Sequence, residues 1–195
     1  MMMSVGLFEF PDMEILDFAG PYQVFDTAAR LSSERSGKPR FHLVSIGATT
    51  EPIRVSGGAT CVPEASIADH PKLDCLLLPG GLTGVDAQIE RPEVIDWVTA
   101  AGETTGIIAS IGTGAFLLAQ TGALTGFEAT THHAHTDDLR RRFPGIDVVT
   151  NRRWVDTGQY VTSAGSSAGI DMAVHLVERL AGRDLAVATA RSLEL

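Results

Sequence analysis

The sequence predicts one α/β domain: a mostly parallel sheet covered by helices on both faces. Three observations carry that expectation. Short β-rich apolar runs alternate with longer segments of helical period along the whole chain, the pattern of successive strand–helix–strand units. Leu73–Leu78 (LDCLLL) and Gly106–Ser110 are nearly devoid of polar residues, as strands buried on both sides must be. Finally, 195 residues of which 44% are hydrophobic suffice for one core. No internal repeat, linker or low-complexity tract divides them, so a single domain spanning 1–195 is expected.

In order, Ser4–Phe10 reads as the first strand and Leu16–Leu31 as an amphipathic helix with Pro21 in its opening turns. Phe41–Ile46 is β-rich. Ile53–Val55 and Thr60–Val62 flank Gly57-Gly58 as a hairpin, and Leu73–Leu78 runs straight into Pro79-Gly80-Gly81. A helix is expected over Pro92–Ala101, a buried strand over Gly106–Ser110, and a short apolar helix over Ala115–Thr121, ended by Gly122. Ala129–Thr131 reads as a strand and Thr136–Phe143 as a helix. Val148–Val149 and Trp154–Thr162 supply further strands, with a turn at Asp156–Gly158. Two helices close the chain: Ala168–Leu180, with Ala173, Val174, Leu176 and Val177 on its apolar side, and Asp184–Leu193.

Charge narrows the partners. Fifteen Lys and Arg against 24 Asp and Glu give a net charge of −9, and phosphate backbones demand clustered positive charge. No nucleic-acid partner is therefore expected, and the runs Arg140–Arg142 and Arg152–Arg153 read as solvated faces. No apolar run reaches the ~18–20 residues of a membrane span, and the start MMMSVGLFEF lacks the pattern of a signal peptide. The only cysteines, Cys61 and Cys75, form no CxxC pair, which fits a reducing, cytoplasmic setting without disulfides or a zinc site.

Ligands of such sheets collect at the carboxyl ends of the strands. Two glycine turns follow buried strands there: LLLPGG at 76–81 and ASIGTGAF at 109–116. The second has the form of a nucleophile elbow, with Gly112 at its apex. The helix that follows offers unsatisfied N–H groups to a developing anion, and the amides of Gly80 and Gly81 are candidates to complete an oxyanion hole. A dinucleotide fingerprint fails because Leu117 stands where a glycine is needed, and no Lys follows the glycines as a phosphate loop requires. Asp17 admits two readings: an N-cap binding first-turn amides, or a general acid/base aimed at Gly112. In TTHHAH (130–135), His132 and His135 have metal-like spacing but no carboxylate or cysteine beside them. His132 reads equally as a structural histidine or as one facing the pocket. Asp171 is expected in the first turn of its helix, favoured by the dipole.

Together, LDFAGPYQVF, LLLPGG, SIGTGAFLLAQTGALTG, ATTHH and TSAGSSAGIDMAVHLV, in this order, resemble the ThiJ/PfpI superfamily. The resemblance covers nearly the whole chain and implies a flavodoxin-like three-layer sandwich of the glutamine-amidotransferase type. The most similar branch is the isocyanide hydratases, which act on a small isocyanide without metal or cofactor and pair as homodimers. The amidotransferase-like half of certain transcriptional regulators is also similar. Those regulators continue into a DNA-binding domain, whereas the ending ATARSLEL resembles the hydratase branch, in which the chain runs on further.

By that resemblance, Asp17 protonates the substrate carbon and handles water; Gly80, Gly81, Thr113 and His132 are the candidates for the substrate and oxyanion site. The elbow of the family is S-[IV]-C-T-G, its cysteine attacking the isocyanide carbon. Here it reads Ser110-Ile111-Gly112-Thr113-Gly114. The nucleophile is missing, through engineering or natural loss; the intact surrounding motifs favour engineering. Glycine tolerates the strained elbow backbone, so the chain is expected to fold, keep its pocket and lack covalent catalysis. A non-catalytic small-molecule sensor on the same pocket is the competing expectation. A deglycase-like role is disfavoured because it implies Glu at the position of Asp17.

Overall fold

The computed structural model describes residues 1–195. In chain order the elements are β1 (Met3–Glu9), α1 (Ile15–Ser36), β2 (Phe41–Gly47), β3 (Ile53–Arg54), β4 (Thr60–Cys61), β5 (Ala65–Ser66), β6 (Cys75–Leu78), α2 (Leu82–Ile89), α3 (Pro92–Thr104), β7 (Ile107–Ile111), α4 (Ala115–Gln120), β8 (Glu128–Ala129), α5 (Thr136–Arg142), β9 (Asp147–Val148), β10 (Trp154–Asp156), β11 (Tyr160–Ser163), α6 (Ser166–Ala181) and α7 (Arg183–Ser192).

Seven strands form one sheet in the order β10-β11-β7-β6-β1-β2-β5. All neighbours are parallel except the edge pair β10–β11, closed by a turn in which Gly158 has φ 98°. Alternation along β1 shows why the fold has three layers. Val5 and Leu7 join Phe25 of α1, Met172 of α6 and Leu185 of α7 in one core. Phe8 packs on the opposite face with Val85 of α2, Val98 of α3 and Phe116 of α4. Each such side chain, fully buried, contributes about 1.5–3 kcal/mol relative to exposure, so both faces of the sheet hold the helices firmly. This is the flavodoxin-like α/β architecture. No helix is long and apolar enough to cross a membrane.

Several elements depart from the sequence expectation. Helix α1 runs on to Ser36, because Ser32 and Ser36 bond back to carbonyls of the preceding turns and Gly37, at φ 74°, supplies the left-handed end. Helix α2 was not expected at all. Its sequence LTGVDAQI carries an interior glycine, yet tertiary packing requires that glycine: a Cβ on Gly84 would lie 2.4 Å from the carbonyl oxygen of Pro11. The two-residue strand β5 also escaped the apolar pattern. Strands β8 and β9 pair with each other in a separate small sheet, and Thr130–Thr131 lie beyond the strand end. The arginine runs are indeed surface faces, pairing Arg140 with Asp137, Arg141 with Asp138, Arg142 with Asp86 and Arg152 with Glu128. Such exposed pairs contribute about 0–1 kcal/mol each.

Candidate active site at the β7–α4 elbow

Strand β7 is wholly buried and ends in a tight 3-10 turn, Gly112–Gly114, that leads into α4. Gly112 has φ 53°, in the left-handed region that costs a side-chain-bearing residue. Gly114 is required for a different reason. Where the ends of β6 and β7 converge, a Cβ on Gly114 would lie 2.1 Å from the carbonyl oxygen of Leu78. The elbow is held from outside as well: the Thr131 hydroxyl donates to the Gly112 carbonyl at 2.8 Å, and the Ser163 hydroxyl donates to the Ser110 carbonyl at 3.2 Å.

Asp17 is the third residue of α1, whose N-cap is Glu14; it does not cap the helix. Its carboxylate is 4% exposed and points across to the elbow. One oxygen, Oδ2, accepts the Gly80 N–H at 3.1 Å, and the other accepts the Ser166 hydroxyl at 2.5 Å. A Cβ on Gly112 would lie 3.2 Å from Oδ2, 3.5 Å from the Ala164 carbonyl and 4.0 Å from Cβ of His132. Burial pushes the Asp17 carboxyl above the usual range, outweighing the lowering effect of its bonds to Ser166 and Gly80; the nearby charge of Glu14 raises it further. A carboxyl with raised proton affinity beside the elbow apex is suited to exchanging a proton there.

The glycine amides do other work than the sequence suggested. Gly80 N–H is taken by Asp17, and Gly81 N–H donates to Oγ of Thr113 at 2.9 Å, so neither is free for an oxyanion. They instead fix the acid and the threonine; a Cβ on Gly80 would sit 2.6 Å from the Asp17 carboxylate. Thr113, 6% exposed, accepts the Gly81 bond through its hydroxyl oxygen. His132 accepts the Ala134 N–H through Nδ1 at 3.3 Å, which leaves the proton of the neutral ring on Nε2. Burial, with the charges of His133 and His135 behind it, lowers its pKa and favours that neutral form.

Asp17, Gly81, Gly112, Thr113 and His132 line one cavity of about 280 Å³ together with Glu14, Leu82, His135, Gly165 and Ser166; Gly80 stands behind it, holding Asp17. Sequence reasoning missed Ser166 as the partner of Asp17. The hydroxyls that open α6 in TSAGSSAGID were the available signal. Asp171 lies in the second turn of α6, not the first, and pairs with Arg153, because the helix starts at Ser166. No group of three or more His, Cys, Asp or Glu side chains is arranged to hold a metal ion. Neither cysteine lines the cavity. Cys75 is fully buried in β6, its thiol pushed up to about 12 by burial, and burial raises that of Cys61 as well.

Residues 3–179 match the model of the DJ-1/PfpI family. The isonitrile hydratase of Pseudomonas putida is 30% identical over 195 residues, all of this chain and 79% of that protein. The transcriptional regulator GbdR of Pseudomonas aeruginosa is 26% identical over 185 residues, 95% of this chain but 48% of the regulator, so the chain spans about half of that relative. Among solved structures, a ThiJ/PfpI family protein from Pseudomonas syringae superposes with a TM-score of 0.88 at 25% identity, over 100% of this chain and 75% of the other. Drosophila melanogaster DJ-1beta shares the fold with a TM-score of 0.85 at 23% identity, over 100% and 99% of the two chains.

Proposed function

The chain belongs to the DJ-1/PfpI family, and from that premise we propose that its elbow pocket is an isocyanide-hydratase-type site from which the nucleophile is missing. In such a reaction R–N≡C takes up one water to give R–NH–CHO. With cysteine at the apex, a C–S bond forms to the terminal carbon while the thiol proton passes through Asp17 to that same carbon, giving a thioimidate. Water then adds to the carbon, the C–S bond breaks, sulfur regains its proton and the formamide leaves. One observation carries the reading: the buried Asp17 carboxyl, its proton affinity raised by burial, lies 3.2 Å from where the Cβ of a residue at 112 would stand, close enough for proton exchange with a side chain placed there. Thr113 lines the same cavity, its hydroxyl oxygen held by the Gly81 N–H.

As it stands, Gly112 leaves a pocket that binds and does not turn over covalently. The decisive assay is formamide production from an alkyl or aryl isocyanide by Gly112→Cys against the unaltered chain. Turnover in the variant alone is expected; none in either sinks the hydratase reading. A sensor that only binds is the second reading, favoured by Gly112 itself and by the similarity to GbdR. A second copy of the chain is proposed as partner, and the cytoplasm as compartment, in keeping with two unpaired cysteines.

A further inference from the structure

A second cavity of about 560 Å³ adjoins the elbow pocket, and Glu14, Gly81 and Leu82 are common to both walls. Its far side is the β3–β4 hairpin: Arg54, Val55 and the turn Ser56–Gly58. Only Val55 and Leu82 among its lining residues are hydrophobic, so the space does not suit an apolar substituent. Arg54 is the sole cation there. It makes no ion pair, although Asp12 and Glu14 line the same cavity. Its guanidinium lies over Gly58, which has φ 88° and whose Cβ, if present, would be 3.0 Å from Nη2. Any side chain at 58 would displace it.

The hairpin is fixed relative to the catalytic residues. Asp12 N–H donates to the Arg54 carbonyl at 3.0 Å, and Ser56 N–H donates to the Met13 carbonyl at 3.0 Å. Glu14 N–H in turn donates to the Gly80 carbonyl at 2.8 Å, the residue whose own amide holds Asp17. These bonds fix the backbone of Arg54 relative to that of Gly80, while the Arg54 side chain itself is exposed and reaches over Gly58.

We propose that Arg54 is the specificity residue of the pocket, anchoring a carboxylate at the far end of a small polar ligand whose reacting end lies against Asp17 and Gly112. A guanidinium matches a carboxylate in a two-point fork, while Asp12 and Glu14 offer acceptors for hydroxyl or N–H groups between the two ends. The inference rests on the hydratase reading for the identity of the reacting group and on the adjoining cavity for the carboxylate.

The test uses the Gly112→Cys protein with isocyanoacetylglycine, which carries an N–H between its isocyanide and its carboxylate, and its uncharged methyl ester. A preference of about tenfold in kcat/KM for the acid is expected, the scale of one charged two-point contact. Arg54→Met should bring the ratio near one, and Arg54→Lys should recover part of it. Equal rates for the two substrates, or a preference untouched by Arg54→Met, overturn the proposal. If neither isocyanide is turned over, the hydratase reading fails and the anchor is judged by calorimetry on the chain with Gly112. N-formylglycylglycine binding about tenfold more tightly than its methyl ester, with the gap lost in Arg54→Met, upholds the carboxylate anchor. No difference between acid and ester overturns it.

Discussion

Gly112 is the residue at which the proposed hydratase and binding-only readings part. Its φ of 53° costs a residue with a Cβ about 1–2 kcal/mol, whereas losing glycine stiffens the unfolded chain and returns about 0.4–1 kcal/mol. The Cβ would also press to 3.2 Å against the Asp17 carboxylate. Gly112→Cys is therefore expected to unfold more easily in urea by roughly 0.5–2 kcal/mol. A variant clearly more stable than the present chain would mean that the elbow is not strained. At this scale the sequence was partly legible. The elbow and Asp17 could be named because small-residue corners and a carboxylate beside a helix start leave local marks. That Gly80 and Gly81 hold Asp17 and Thr113, rather than an oxyanion, depends on where side chains converge from distant segments, and no local pattern encodes it.

At the scale of elements, the carboxyl end of β1 carries an unusual load. Glu9 closes the strand 3% exposed, its Oε2 without a hydrogen-bond partner. Burial pushes its carboxyl up to about 7 from 4.5, against the lowering effect of the Ser45 hydroxyl. The folded chain thus binds a proton at Glu9 that the unfolded chain has released. Stability from this residue is full below about 4.5 and is lost as pH rises through about 7. Glu9→Gln should accordingly gain on the present chain between pH 5 and pH 8 in urea melts. An identical stability difference at both pH values would show that Glu9 does not titrate there. The long elements were visible in advance because hydrophobic period scales with length: α1, α6 and the buried β6 and β7 were all foreseen. The short ones, α2 and β5, owe their existence to contacts such as Gly84 against Pro11, which propensity does not register.

For the whole molecule, alternation of strand and helix was enough to foresee the parallel sheet and its two helical faces, since chain connectivity leaves few other solutions. The separate pairing of β8 with β9 was not foreseeable, because two-residue strands carry no pattern of their own. Assembly is tested at this scale too. Sedimentation at micromolar concentration is expected to show a species of twice the chain mass, and a lone species near 20.7 kDa would refute the dimer. One bond described above also sets an order of events. Asp17 and Ser166 are 149 positions apart, so while the chain is being made on a ribosome the acid emerges early and waits for its hydroxyl until nearly all of the polypeptide has been added. A nascent fragment ending before α6 lacks both that hydroxyl and the helices α6 and α7 that help to cover one face of the sheet. The pocket, which Gly165 and Ser166 help to line, is thus completed late, and a chain terminated before them would lack it.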